Sequence, residues 1–181
     1  MDEKQLVHQV LSGSDSALRL LISKYERLVM HMVARVISDD MDREELCQDV
    51  FIKVYEKLGT FHFDSKLSTW VATIAFRTAV NFAKKKKLDQ VDIDQVSFKV
   101  GEDANTVENN DMKSFILRMV DQLPLNYKTV LTLFYLDGFS YPEIVEVTGM
   151  PEGTVKNYIH RARLKLRKIV EQQALREEAL L

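Results

Sequence analysis

The sequence predicts an all-α protein made of two small helical domains that are joined by a flexible acidic linker. Apolar residues recur at the i, i+3, i+4, i+7 spacing of amphipathic helices in both halves, and the first half shows no β alternation. Between the halves, residues 89–111 hold seven acidic side chains against Lys99 alone and show no sustained period. We therefore assign one domain to residues 1–87, the linker to 88–111 and the second domain to 112–181.

The composition indicates a cytoplasmic protein with ordinary hydrophobic cores. Of the 181 residues, 46% are hydrophobic and 29% are charged. No stretch reaches the roughly 18 apolar residues that a membrane-spanning helix needs, and the N-terminal residues lack the pattern of a signal peptide. The single cysteine, Cys47, cannot form an internal disulfide. We expect no membrane insertion.

The charge is unevenly distributed. The net charge is −2, yet residues 153–170 contain six basic residues and no acid, and residues 84–87 are four lysines. Charges are screened beyond about 8 Å at physiological salt, so these local patches decide what the surface can bind.

The first domain is predicted to be a compact bundle of helices. A first helix is expected near residues 3–11, and a second over 17–37. Asp42, with Glu45 three residues on, is the expected N-cap of a third helix that ends at Leu58 before Gly59. A fourth helix should run from Leu67 to the lysine run, and its residues at helical spacing are Trp70, Val71, Ile74, Thr78 and Phe82. The third helix should bury Leu46, Val50, Val54 and Leu58 and leave largely outside Glu45, Gln48, Asp49, Ile52 and Lys53.

The second domain contains a helix-turn-helix pattern. Helices are expected over 112–123 and about 127–136. Ser140 and Glu143 form an S-x-x-E capping box for a short helix, and Gly149 can take the left-handed conformation of a sharp corner. Pro151 suits the first position of the next helix. That helix should bury one seam (Val155, Ile159, Ala162, Leu166 and Ile169) and present a basic face to the major groove of DNA.

The whole chain resembles bacterial extracytoplasmic function (ECF) sigma factors. The segment GTVKNYIHRAR, preceded by LPLNYKTVLTLFYLDGFSYPEIVEVTGM, is similar to their promoter-binding domain. DREELCQDVFIKVYEKL (42–58) resembles their polymerase-docking helix, and FHFDSKLSTWVATIA (61–75) resembles their segment for the melted promoter strand. The resemblance implies a transcription initiation factor without enzymatic activity and without a cofactor. Its implied partners are core RNA polymerase (β′ clamp helices and β flap), duplex and single-stranded promoter DNA, and an anti-sigma factor.

The resemblance also implies a role for particular residues. Polymerase docking falls to the exposed face of the third helix, namely Glu45, Gln48, Asp49, Ile52 and Lys53. Capture of the −10 strand falls to His62, Phe63, Asp64, Ser65, Lys66, Arg77, Asn81, Lys84 and Lys85. Recognition of the −35 duplex falls to Thr154, Lys156, Asn157, His160, Arg161 and Lys165.

The chain departs from the family pattern at three places. Arg77 and Asn81 stand where the family usually has Asn and often Asp, and a lysine run replaces the usual arginine pair. Tyr158 follows Lys156 and Asn157, where arginine is frequent. Lysine cannot form the bidentate fork of arginine.

Two other interpretations fit part of the sequence. A stand-alone helix-turn-helix regulator would use the first domain for dimerisation or sensing. An enzyme or carboxylate metal site would rest on Glu44, Glu45 and Asp49, but no histidine lies three residues after any of them. The four histidines are scattered and show no metal-ligand spacing.

Overall fold

The computed structural model describes residues 2–89 and 111–178, and within these ranges the regular structure is entirely helical. The predicted all-α class is therefore confirmed, whereas most of the predicted 88–111 linker lies outside the described residues. The α-helices in these ranges are α1 (Glu3–Leu11), α2 (Asp15–Ala34), α3 (Asp40–Lys57), α4 (Leu67–Asp89), α5 (Asp111–Asp121), α6 (Leu125–Tyr135), α7 (Tyr141–Thr148) and α8 (Glu152–Glu178). A short 3₁₀ turn, Leu58–Thr60, follows α3.

Helices α1–α4 form an N-terminal unit in which α2, α3 and α4 pack against one another and α1 packs on α2. The predicted inner face of α3 is confirmed, because Leu46, Val50, Val54 and Leu58 are all buried. The inner face of α4 agrees with the expected one in part, because Val71 and Thr78 are buried. Its centre is made of small residues, Ala72, Ala75 and Ala79, whereas Trp70, Ile74 and Phe82 are only half-buried.

The predicted start of α3 is wrong, whereas its predicted end near Leu58 is confirmed, because Leu58 is the C-cap. Asp39, not Asp42, caps the helix, and its Oδ1 accepts a hydrogen bond from the N–H of Asp42 at 3.0 Å. The buried Arg43 holds this corner, since its Nε donates to the carbonyl of Ile37 at 2.7 Å and its Nη1 pairs with Asp40 at 2.8 Å. At the other end, Gly59 lies inside the 3₁₀ turn and does not take a left-handed conformation.

Helices α5–α8 form a C-terminal unit in which α8 packs against α5 and α6. Its core includes Val130, Leu133, Ile144 and Val155, each fully buried. The buried Lys128 ammonium lies 2.5 Å from the Asp121 carboxylate, which satisfies the charge that α6 takes into the interior. In the described ranges, no helix is both long and apolar enough to cross a membrane.

Candidate nucleic-acid and polymerase interfaces

An exposed aromatic ring lies in the loop between the 3₁₀ turn and α4. Phe63 has a φ of +62°, and it is 41% exposed. Left-handed backbone is unfavourable for a bulky side chain and persists only where neighbouring structure enforces it. Phe61 enforces part of it, because its buried ring lies 4.7 Å from the ring of Phe63 and 5.3 Å from that of Trp70. The loop therefore holds an exposed aromatic side chain on a strained backbone, next to the buried ring of Phe61.

The other predicted loop residues surround this ring with polar groups. His62, Asp64 and Lys66 are exposed, and Ser65 is half-buried. The ammonium of Lys4, on α1, lies 5.8 Å from the centre of the Phe63 ring. A planar face with donors and acceptors around it can stack on an unpaired base and hydrogen-bond its edge. Sequence reasoning missed Lys4, because only the fold brings α1 to this loop.

One side of α4 continues from the loop as a polar stripe. Arg77, Asn81, Lys84 and Lys85 are all exposed and follow one another at i, i+4, i+7 and i+8. Lys86 is engaged elsewhere, since its ammonium lies 2.5 Å from the carboxylate of Asp42 on α3. This hydrogen bond raises the pKa of Lys86. Lys84 and Lys85 are thus placed where a nucleic-acid backbone could reach them, whereas Lys86 ties α4 to α3.

The outer face of α3 carries the predicted docking residues. Glu45, Gln48, Asp49 and Ile52 are exposed, and Lys53 is half-buried. The face also includes two apolar side chains that sequence reasoning missed, Met41 (82% exposed) and Tyr55 (51% exposed). Met41, Gln48, Ile52 and Tyr55 follow at i, i+7, i+11 and i+14. Tyr55 lies inside the predicted helix and Met41 directly before it, so a helical projection that began one residue earlier would have found both. The face is therefore mixed, with exposed apolar side chains near its two ends and the polar Glu45 and Gln48 between them.

The corner of the helix-turn-helix has the predicted local chemistry. Ser140 and Glu143 form the capping box, with the backbone N–H of Ser140 donating to Glu143 Oε2 at 2.8 Å. Gly149 ends α7 in the left-handed region, at a φ of +72°. The prediction for Pro151 is wrong by one position, because α8 begins at Glu152 and the carbonyl of Pro151 accepts from the N–H of Val155 at 3.0 Å.

The exposed face of α8 presents the predicted recognition residues. Val155, Ile159 and Ala162 are buried and fix the rotation of the helix. Thr154 is half-buried, and the residues exposed on the outer side are Lys156, Asn157, His160, Arg161 and Lys165. A helix with this face can enter the major groove and contact both base edges and phosphates.

Two contacts modify the start of this face. Lys156 pairs with Glu152 at 2.6 Å and lies 5.6 Å from the centre of the Tyr141 ring, and the hydrogen bond to Glu152 raises its pKa. Tyr158 is half-buried with its ring edge-on to Tyr127 at 5.2 Å. The tyrosine that replaces the frequent arginine of the family pattern therefore packs within its own unit.

Neither a metal site nor a reactive thiol appears among the described residues. No group of three or more His, Cys, Asp or Glu side chains within them is arranged to hold a metal ion. Cys47 is half-buried, its Sγ lies 3.9 Å from Met30 Sδ, and burial raises the pKa of the thiol. A raised pKa keeps the thiol protonated and slow to react.

Comparison with known proteins identifies the family. The model of sigma-70 region 2 matches residues 21–88, and that of sigma-70 region 4 matches residues 116–166. RNA polymerase sigma-H factor of Pseudomonas aeruginosa is 32% identical over 187 aligned positions, covering 97% of this chain and 96% of its own length. The ECF RNA polymerase sigma-E factor of Haemophilus influenzae is 34% identical, covering 90% and 92%. The chain belongs to the ECF sigma factors.

Solved structures agree on the fold of this ECF sigma factor. CnrH in complex with the cytosolic domain of CnrY has a TM-score of 0.67 at 18% identity and covers 94% of this chain and 97% of its own. The sigma factor RpoE from Bartonella quintana, in complex with the anti-sigma factor NepR, has a TM-score of 0.66 at 21% identity and covers 84% and 96%.

Membership in this family settles the general function. The ECF sigma factor is a transcription initiation factor, not an enzyme, and it binds core RNA polymerase and promoter DNA. Full-length similarity to the curated relatives decides against a stand-alone helix-turn-helix regulator.

Proposed function

We propose that this ECF sigma factor opens the −10 element by seating one unpaired base on Phe63, and that residues 62–66 form the receiving pocket. The observation that carries the proposal is the exposed Phe63 ring, which stands on a strained backbone and lies next to the buried ring of Phe61. A base that leaves the duplex loses its stacking, and a prepared aromatic face replaces part of that loss. The exposed stripe of Arg77, Asn81, Lys84 and Lys85 then follows the backbone of the same strand.

We assign −35 recognition to the first turns of α8. Arg161 can bind a guanine bidentately, and Asn157 can bind an adenine in the same manner. Thr154, Lys156, His160 and Lys165 border these two residues and suit phosphate or base contacts. The domain assignment follows, with −10 recognition in residues 1–87, −35 recognition in 112–181 and the acidic segment 88–111 as the connection between them.

We assign polymerase docking to the outer face of α3. The exposed apolar side chains of Met41, Ile52 and Tyr55 supply area to bury, and Glu45 and Asp49 favour a partner surface with basic residues. The β′ clamp helices are the proposed partner of this face, and the β flap is proposed for the C-terminal unit.

We further propose that an anti-sigma factor holds this protein inactive and that it works in the cytoplasm. Both similar solved structures are complexes, CnrH with the cytosolic domain of CnrY and RpoE with the anti-sigma factor NepR. The cytoplasm is also where core polymerase and promoter DNA are found.

Substitutions at Phe63 test the pocket. Phe63→Ala removes the ring and keeps the strain, Phe63→Gly removes both, and Phe63→Tyr keeps the ring. We expect the first two to weaken strand opening by about 1–3 kcal/mol, the usual contribution of one stacked base, and the third to behave like the native protein. Asp64→Ala should also impair opening, through loss of an edge contact.

The assay uses reconstituted holoenzyme and a promoter with 2-aminopurine in the −10 element. Binding of a duplex that contains only the −35 element serves as the control and should be the same for all variants. Equal losses in opening and in −35 binding, or normal opening by Phe63→Ala, would show that the pocket is misassigned.

A further inference from the structure

The carboxylate of Glu3, on α1, joins three parts of the N-terminal unit. Its Oε1 accepts a hydrogen bond from the Tyr25 hydroxyl at 3.1 Å and lies 3.5 Å from the Lys24 ammonium, both on α2. Its Oε2 accepts a hydrogen bond from the backbone N–H of Leu67 at 3.4 Å. One side chain thus links α1 and α2 to the first residue of α4.

The bond to Leu67 lies where the loop becomes a helix. The first N–H groups of a helix have no partner within it, and a carboxylate there is favoured by the helix dipole as well as by the hydrogen bond. Leu67 itself is fully buried, and it directly follows the five residues 62–66. Because Phe61 anchors the other end of the loop, a fixed Leu67 leaves those five residues little freedom.

Tyr25 holds the Glu3 carboxylate in place. The ring of Tyr25 is buried, and its pKa is raised by burial first and by Glu3 second. The hydroxyl therefore remains a protonated donor to Glu3 at ordinary pH. Lys4, the next residue of α1, lies 5.8 Å from the Phe63 ring centre, so the helix that carries Glu3 also contacts the strained residue.

We propose that Glu3 is a positioning residue for strand capture: by binding the N–H of Leu67 it keeps the 62–66 loop in the conformation that exposes the Phe63 ring. This inference rests on the proposed −10 pocket and assigns its support to α1. Glu3 acts through the loop and contacts no DNA in this role.

Three substitutions separate this role from a general effect on stability. Glu3→Ala removes both hydrogen bonds, whereas Glu3→Gln keeps an oxygen acceptor for Leu67 and a polar partner for Tyr25. Tyr25→Phe removes only the Tyr25 bond. Glu26→Gln, at an exposed position on α2, is the matched control for the loss of one negative charge.

The measurements are strand opening by holoenzyme, −35 duplex binding, and thermal unfolding of the full chain. We expect Glu3→Ala to lower the opening rate constant about tenfold, the size expected when one hydrogen bond is lost and its buried partner is left unsatisfied. Glu3→Gln, Tyr25→Phe and Glu26→Gln should stay within about threefold of native, and −35 binding should not change in any of them. Acrylamide quenching of the single tryptophan, Trp70, which contacts Phe61, should rise in Glu3→Ala alone.

Two results would overturn the proposal. One is normal opening by Glu3→Ala at a temperature where it is fully folded. The other is an opening defect as large in Glu3→Gln as in Glu3→Ala. Phe63→Ala, measured in parallel, separates the proposed pocket from the proposed role of Glu3. If Phe63→Ala opens promoters normally, the pocket assignment is wrong. If Phe63→Ala is defective while Glu3→Ala is normal, only the role of Glu3 is wrong.

Discussion

Gly149 allows a prediction whose magnitude follows from backbone conformation alone. Its φ is +72°, and a Cβ built at this position would meet no atom within 4 Å. Gly149→Ala therefore introduces conformational strain without a clash. A left-handed conformation costs a residue with a Cβ about 1–2 kcal/mol. We expect the free energy of unfolding of the C-terminal unit to fall by that amount, which lowers its ratio of folded to unfolded molecules about 5–30-fold.

Gly153 provides the matched control. It lies in the first turn of α8, has no left-handed φ, and a Cβ there would likewise meet no atom within 4 Å. Gly153→Ala should stabilise the same unit by up to about 1 kcal/mol, because alanine favours helix over glycine. The two substitutions thus add the same methyl group four residues apart and should have opposite effects.

Urea unfolding followed by far-ultraviolet circular dichroism measures both changes. The fluorescence of Trp70 reports on the N-terminal unit and should show an unchanged transition in both variants. If Gly149→Ala is as stable as the native protein, or if both substitutions shift stability in the same direction, the left-handed corner does not determine the stability of the helix-turn-helix.

Three further predictions concern binding and pH. Arg161→Ala should weaken −35 binding by about 1–3 kcal/mol and reduce discrimination at one base pair; a uniform loss across competitor sequences would show a phosphate contact instead. Ile52→Ala, at a 57% exposed position, should weaken core polymerase binding while the free energy of unfolding stays within about 0.5 kcal/mol; unchanged affinity for core would remove Ile52 from the docking face. The pKa of Tyr25 is raised above its usual 10.0, so the folded unit keeps its proton after the unfolded chain has lost it. The difference in unfolding free energy between native protein and Tyr25→Phe should be constant below pH 10.0 and shrink as the pH rises past it. A difference that does not change with pH would contradict the raised pKa of Tyr25, whose largest cause is burial.

Short-range chemistry made the second domain predictable. The Ser140–Glu143 capping box joins residues three apart, and the left-handed Gly149 depends on its own backbone. Such features are determined by neighbouring residues, so the sequence alone specifies them. The buried positions Val155, Ile159 and Ala162 follow equally from helical spacing within one segment.

The alanine-rich centre of the inner face of α4 could not be predicted in this way. Ala72, Ala75 and Ala79 are fully buried because α4 packs against both α2 and α3, and small residues let the helices approach closely. Alanine adds little to a hydrophobic pattern, so the expected face included the larger Trp70, Ile74 and Phe82. Its other two members, Val71 and Thr78, are buried as expected. The half-burial of Trp70, Ile74 and Phe82 places them at the edge of the core, and Trp70 there packs against Phe61.

The conformation of the 62–66 loop could not be predicted either, because it too depends on contacts between distant parts of the chain. The positive φ of Phe63 opposes the local preference of phenylalanine, and the Leu67 N–H finds its acceptor in Glu3, 64 residues away in sequence. The resemblance to the family placed the loop residues in a −10 role, but it said nothing about what holds them. That support comes from contacts between helices distant in the chain.

The structure also explains how a chain with a net charge of −2 can serve two DNA elements. Several basic side chains are paired with carboxylates of their own unit, among them Lys24, Arg43, Lys86 and Lys128. They therefore contribute little to the electric field outside the protein. At the start of α8, which we propose binds the −35 element, Lys156 is held by Glu152, and both side chains are more than half exposed. An exposed pair of this kind is weak and sensitive to salt. A correctly placed phosphate or base edge can therefore replace Glu152 as the partner of Lys156, whereas a loosely bound duplex gains less binding energy from Lys156. We therefore expect limited free positive charge to weaken non-specific binding to DNA.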